Sequence, residues 1–360
     1  MAAITRRRTA TVIAISTVGA IALAGCTGGS DSAADGGPES GEINIIGYAG
    51  IWEEQYQKTV IDPFLEEHPG ITINYSSKRS SAEMLSAIQS EGGRAVTDVA
   101  IMDSSVSDSG NQQDLFATIT EDDVPNLAKV KDEFLNADDY GPLVGLDAVG
   151  LLYDTETFPE APTSWEVLWD DAYAGKVQVV APPSALGINL TAITSEMLGE
   201  DYTKSIDKSV AKLAELAPNI QSWAPNPDEY QSVITGQTVL GLGQNARGQY
   251  YADESDGKLG IAFPDEGTVY QMNAINLSAK APNPEAAKTF IDYALSDDAQ
   301  AAFAEALFYA PSTDVELPPE VSERIVQTDG SVKILDLDPA WLGEVRGEWT
   351  DRWKREIIGG

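Results

Sequence analysis

The feature that most constrains this chain is an alternation, beginning at residue 43, of short apolar runs with longer stretches of helical spacing. Ile43-Asn44-Ile45-Ile46-Gly47-Tyr48 is β-rich and apolar. Trp52 to Glu67 then places apolar residues at Trp52, Tyr56, Val60, Ile61, Phe64 and Leu65, the spacing of a helix face, and Pro69-Gly70 stops it. Ile71-Thr72-Ile73-Asn74-Tyr75 alternates as a second strand. Ser80 or Ser81 can cap a helix through Met84, Leu85 and Ile88 that Gly92-Gly93 ends, and Asp98 to Asp103 is a third strand. Strand, helix, strand, helix, strand predicts an α/β body with a parallel sheet and crossover helices. Ligands of such sheets meet the loops at the carboxyl ends of the strands. Here those loops are Tyr48 to Trp52, Ser76 to Arg79 and Asp103 to Ser105.

The same alternation continues along the chain. Leu115 to Tyr140 reads as polar loops with one short helix, and Val144 to Tyr153 as a strand running between domains. Thr163 to Trp169 fits a capped helix, Gly175 to Val180 a strand, and Pro182 to Gly187 opens the next helix. Ala192 to Leu198 and Ile206 to Leu216 are helical; Val239 to Gly243 is a buried-type strand. Leu259 to Phe263 precedes a turn, and Val269 to Leu277 leads out of the second domain. Pro284 to Leu295 and Asp297 to Leu307 read as helices. In the tail, Trp341, Val345, Trp349 and Trp353 recur at helical spacing, a stripe we read as core. The one histidine, His68, sits at a helix end as a C-cap, and a lone histidine makes no metal site. No internal repeat is present.

Met1 to Cys26 is a secretory signal rather than a fold element: Arg6, Arg7 and Arg8, a short apolar run, then small residues. The run is about 14 residues, against the roughly 20 that span a bilayer. Thr9-Ala10-Thr11 replaces the apolar residues that twin-arginine export expects after the arginines. Leu23-Ala24-Gly25-Cys26 resembles the bacterial lipobox, which implies lipid on Cys26 and a chain anchored at the extracytoplasmic face of the cell membrane. Residues 1–25 are then the signal peptide, and 26–42, without aromatic or large aliphatic residues, a flexible tether. Cys26 is the only cysteine, so no disulfide forms within the chain and stability rests on core burial. Beyond Cys26 all 57 acidic residues remain and three of 23 basic ones are lost, a balance of −37. Nucleic-acid binding, which needs clustered Lys and Arg, is excluded.

Three segments carry a family resemblance. They are Pro162-Thr163-Ser164-Trp165-Glu166-Val167-Leu168-Trp169-Asp170 with Tyr173-Ala174-Gly175-Lys176-Val177, Ile261 to Thr268, and Asn283 to Lys288 with Phe290, Ile291 and Asp292. They resemble the periplasmic-binding-protein superfamily of type II architecture, in its spermidine/putrescine and iron(III) receptor branch. The resemblance implies two α/β lobes joined by two hinge crossings: 43–146 with 276–311, and 147–275 with 312–360. It implies a monomeric substrate-binding lipoprotein that captures a small solute, polyamine-like or otherwise, between lobes that close by hinge motion, and delivers it to an ABC importer permease. No cofactor and no catalysis are implied.

The resemblance also implies a set of ligand residues. Tyr48 and Trp52 follow the first strand, where polyamine receptors carry aromatic residues; packing of the helix start is the alternative reading. Asp103 either pairs with a cation or caps the next segment, with Ser104 beside it. Ser184 marks a helix start able to bind polar or anionic groups. Asn245 and Arg247 end the Gly-rich strand; Arg247 would hold an acid group or join a salt bridge. Tyr270, Gln271 and Asn273 lie on the second crossing. Polyamine receptors have Trp-Met-Asp at this crossing, an acidic pair where Pro183 to Gly187 stands, and Trp where Gln244 stands. Tyr250-Tyr251 supplies the iron(III) alternative as a metal pair. A secreted α/β hydrolase is the enzyme alternative, against which stand the missing Gly-x-Ser-x-Gly elbow, zinc motif and second histidine.

Overall fold

The computed structural model describes residues 37–359 apart from 137, 227 and 336. The secretory segment, Cys26 and the tether up to residue 36 lie outside the described residues. The first strand, β1 (Gly41–Tyr48), starts two residues before Ile43 because Gly41 and Glu42 already pair with Ile71 and Thr72.

The strands are β2 (Ile71–Lys78), β3 (Val99–Asp103), β4 (Phe116–Ala117), β5 (Leu143–Asp154), β6 (Val177–Gln178), β7 (Ile220–Ser222), β8 (Leu240–Gln244), β9 (Leu259–Ala262) and β10 (Tyr270–Ser278). They form one sheet in the order β2-β1-β3-β10-β5-β8-β6-β7, with β4 added on β10 and β9 on β5. β1 runs parallel to β2 and β3, as the opening alternation predicts, and β6 is parallel to β7 and β8. β10 is antiparallel to β3 and β5, and β5 to β8, so these two strands join the halves.

Two large cores divide along β5 and β10. Leu146 and Ala148 pack in the first with Ile43, Phe64, Phe290 and Ile275; Val149 and Leu151 pack in the second with Trp165, Ile193 and Leu242. At the start of β10 the change falls between Val269, which precedes the strand and packs in the second core, and Tyr270, which packs against the first. Val326 still belongs to the first core, so the tail joins the second only from Leu335. Trp349 and Trp353 are buried there, and the Trp353 indole N–H donates to Thr191 Oγ1 at 2.8 Å. The tail stripe is core.

Local signals explain most helices. Ser80 caps Ser81–Glu91 by accepting from the Glu83 amide at 3.3 Å, and Ser184 caps Ala185–Met197 by accepting from the Leu186 amide. This helix opens at Ala185, within the Pro182–Gly187 start read from the sequence, and runs on without a break through Ala192. Ser80→Ala should cost about 1 kcal/mol of stability, read from the urea midpoint; an unchanged midpoint would make the cap idle. The helical stretch of 51–67 is α-helical at both ends with a π turn at Gln57–Ile61, and His68 closes it. Trp165–Trp169 is a 3₁₀ turn rather than a longer helix: Ser164 caps it, and Asp170 opens the next short turn. The sequence reading missed the short strand β7 and the helix Glu229–Ile234.

Candidate functional site

Parallel pairing of β1 and β3 brings their carboxyl ends together, and β10 lies beside β3 with Asn273 directly opposite Asp103. Tyr48, Asp103, Gln271 and Asn273 therefore converge, though they are spread over more than 220 residues of chain. The Tyr48 hydroxyl donates to Asp103 Oδ1 at 2.8 Å, and Ser81 Oγ donates to Oδ2 at 2.9 Å. Gln271 Nε2 donates to Oδ1 at 3.0 Å. Burial, with the charge of Asp103 adding to it, pushes the Tyr48 hydroxyl well above its usual range and keeps it a donor. Asp103 stands at the N-cap position of Ser104–Asn111, yet its side chain accepts no cap hydrogen bond. The capping alternative is thereby replaced by this network.

A cavity of about 550 Å³ opens beside the cluster, where the elements of the two cores meet. Asp103, Ser104 and Ser105 line it from the end of β3, and Tyr270, Gln271 and Met272 from β10. Ala185 and Asn189 reach it from the capped helix, and Leu342 and Arg346 from the tail helix Pro339–Arg352. Phe134 and Leu335 add apolar wall, with Glu133 at the edge. Gln271 Oε1 is buried without a protein partner, and the Tyr270 hydroxyl donates to the Gln327 carbonyl at 3.1 Å.

Other expected ligand residues lie elsewhere. Trp52 is buried in the first core, stacked 4.4 Å from Tyr56 and edge-on to Phe303, although its indole N–H has no partner. Asn245 is fully buried; its amide donates to the Arg324 carbonyl at 2.9 Å and accepts from Gln249. Arg247 lies over the Tyr230 ring at 5.6 Å and does not line the cavity. Ser184 sits one residue before the lining Ala185, with its hydroxyl oxygen spent on the cap. The Tyr250 and Tyr251 rings meet edge-on, 5.7 Å between centroids, yet their other contacts differ. Tyr250 packs on the first core, whereas Tyr251 packs against Tyr230 and Val233. Burial raises both hydroxyls, against tyrosinate formation. Among the described residues no group of three or more His, Cys, Asp or Glu side chains could hold a metal ion.

Sequence reasoning missed Asn189, Arg346 and Tyr309. Tyr309 is partly buried against Gly145, close to Asn273, and desolvation holds its hydroxyl well above the usual range. Asn189 is the one amide on an apolar helix, a signal that was available; Arg346 was hidden by the tryptophan stripe around it.

Two α/β lobes on one sheet, joined by two antiparallel crossings with a cavity at their junction, form the type II periplasmic-binding-protein fold of solute receptors. A profile for bacterial extracellular solute-binding proteins matches residues 59–328, and the chain belongs to that family; it binds a small solute and is not an enzyme. It is 26% identical over 288 residues to the spermidine/putrescine-binding periplasmic protein 1 of Haemophilus influenzae, covering 77% of this chain and 78% of that one. It is 27% identical over 186 residues to the gamma-aminobutyric acid-binding protein of Pseudomonas aeruginosa, covering 49% and 51%. The fold matches the spermidine/putrescine ABC transporter substrate-binding protein PotD of Streptococcus pneumoniae with a TM-score of 0.73 at 18% identity, covering 88% of this chain and 100% of that one. Among the described residues no helix is long and apolar enough to cross a membrane.

Proposed function

We propose that this chain is the lipid-anchored receptor of an ABC importer and that it clasps a small organic ammonium compound between its lobes. One observation carries the ammonium. Asp103 lines the cavity, and every hydrogen bond its side chain accepts comes from a neutral group. No Lys or Arg among the described residues forms an ion pair with it. A carboxylate removed from bulk water needs a counter-charge, and a protonated amine brings both the charge and three N–H donors. Gln271 Oε1, an acceptor without a partner, suits the same group. The relatives support this reading: spermidine, putrescine and gamma-aminobutyric acid, the compounds in their names, share a primary amine and differ at the other end.

The Leu-Ala-Gly-Cys run supports lipid on Cys26 as the tether to the outer face of the membrane. The division of the cores along β5 and β10 supports closure of the lobes about these crossings, the closed form being what the permease reads. The test is the thermal midpoint of the purified chain. Putrescine or spermidine should raise it and butane-1,4-diol should not, since binding to the folded state alone stabilises it. No rise with any primary amine would reject the reading.

A further inference from the structure

The cavity is not acidic throughout. Asn189 is only 7% exposed and lines it, and among the described residues its side-chain amide has no hydrogen-bond partner. On the same helix Thr191 and Thr194 donate back to the Gly187 and Leu190 carbonyls, and Ser195 Oγ is buried without a partner but does not line the cavity. Asn189 stands one turn from Ala185, at the amino end of a 13-residue helix, where backbone N–H groups and the helix dipole favour negative charge.

Arg346 faces the same cavity from the tail helix, and its guanidinium has neither an ion pair nor a hydrogen bond among the described residues. Arg352, further along the same helix, is paired with both Asp207 and Glu356. Acidic residues outnumber basic ones 57 to 23 in this chain, so an arginine left unpaired beside a cavity is a fork of donors held open. Glu133 also lines the cavity but lies beyond ion-pair distance of it. Asn189 and Arg346 belong to elements of the second core, whereas Asp103 ends a strand of the first.

We infer that Arg346 and Asn189 form an anion-accepting end of the cavity opposite Asp103, so that the solute is a short amino acid carrying its ammonium and its carboxylate at opposite ends. The inference rests on the ammonium reading and adds the second charge, with each lobe holding one.

The test is calorimetric titration of the full chain with ω-amino acids of three to six carbons, diamines of the same lengths, and the matching dicarboxylates. The best ω-amino acid should bind at least tenfold more tightly than the diamine of its length. Arg346→Gln should weaken that ω-amino acid at least tenfold and change the diamine less than threefold; Arg346→Lys should recover part of the loss. Asn189→Ala should weaken it in the same selective way. Diamines binding best, with Arg346→Gln changing nothing, would overturn the anion-accepting end while leaving the ammonium reading standing. A dicarboxylate binding best would overturn the inference through failure of the ammonium reading itself. No binding by any of the three series would also overturn it.

Discussion

Replacing Asp103 with Asn is expected to weaken the amine solute by about 1.5–3 kcal/mol, the usual contribution of a hydrogen bond to a charged group. The substitution keeps size and one acceptor oxygen but removes the charge. Ser81 Oγ and Gln271 Nε2, which donate to Oδ2 and Oδ1 in the native site, cannot both find an acceptor in Asn. The ligand-free chain should therefore also lose some stability. The two effects separate cleanly. Calorimetry reads affinity, and the urea midpoint without solute reads the network. An affinity within twofold of the parent would mean that the solute's positive end sits elsewhere. Tyr48→Phe is no substitute for this experiment, because it removes one donor and leaves the charge.

The second large effect concerns Asp147 and pH. This residue lies on β5 directly opposite Gln271 and is 1% exposed. Oδ1 accepts from the Ala246 and Ala148 amides at 3.0 and 2.7 Å, while Oδ2 is buried without a partner. Burial pushes its carboxyl up to about 7, and the two amide bonds oppose that shift without cancelling it. The groups facing it include Tyr309 and Tyr230, both kept protonated by their own burial. The sign follows from the raised value. Between about pH 4 and pH 7 the folded chain holds this proton while the unfolded chain has released it, so stability falls as pH rises. Below about pH 4 both states hold the proton and no penalty exists; above about pH 7 the penalty is complete. Three units at about 1.4 kcal/mol each make it about 4 kcal/mol. Asp147→Asn should remove this slope: its stability relative to the parent should rise by that order from pH 4 to pH 8 in urea unfolding. Parallel profiles for parent and variant would show that Asp147 reaches a counter-charge or solvent in the folded chain.

Much of the architecture was legible because it rests on local pattern. The run from Ile43 to Asp103 alternates periods of two and near four, and its strands pair in parallel. Ser80 and Ser184 announced their helices, and Trp349 and Trp353 their core. What failed was whatever depends on partners far away in sequence. β7 is three residues long and exists because Val177 and Gln178 lie beside it, so no periodicity could show it. The site divides in the same way. Asp103 and Ser104 line the cavity because the carboxyl ends of parallel strands gather by rule, while Tyr270 and Gln271, expected from the family resemblance, join them because antiparallel β10 begins beside the end of β3. Asn245 and Arg247 also follow a strand end, yet the close packing of their helix against Arg324 and Tyr230 turned both side chains away. Only three-dimensional packing decides between such neighbours.

The tail has a consequence for comparing this receptor with its kin. The family profile ends at residue 328, before the helix that carries Arg346. That helix is held by indoles embedded beneath it, so its outward choice of side chain and its inward fit are inherited together. Relatives sorted by the shared profile alone would be grouped without the segment on which, in our reading, the choice between one charge and two depends.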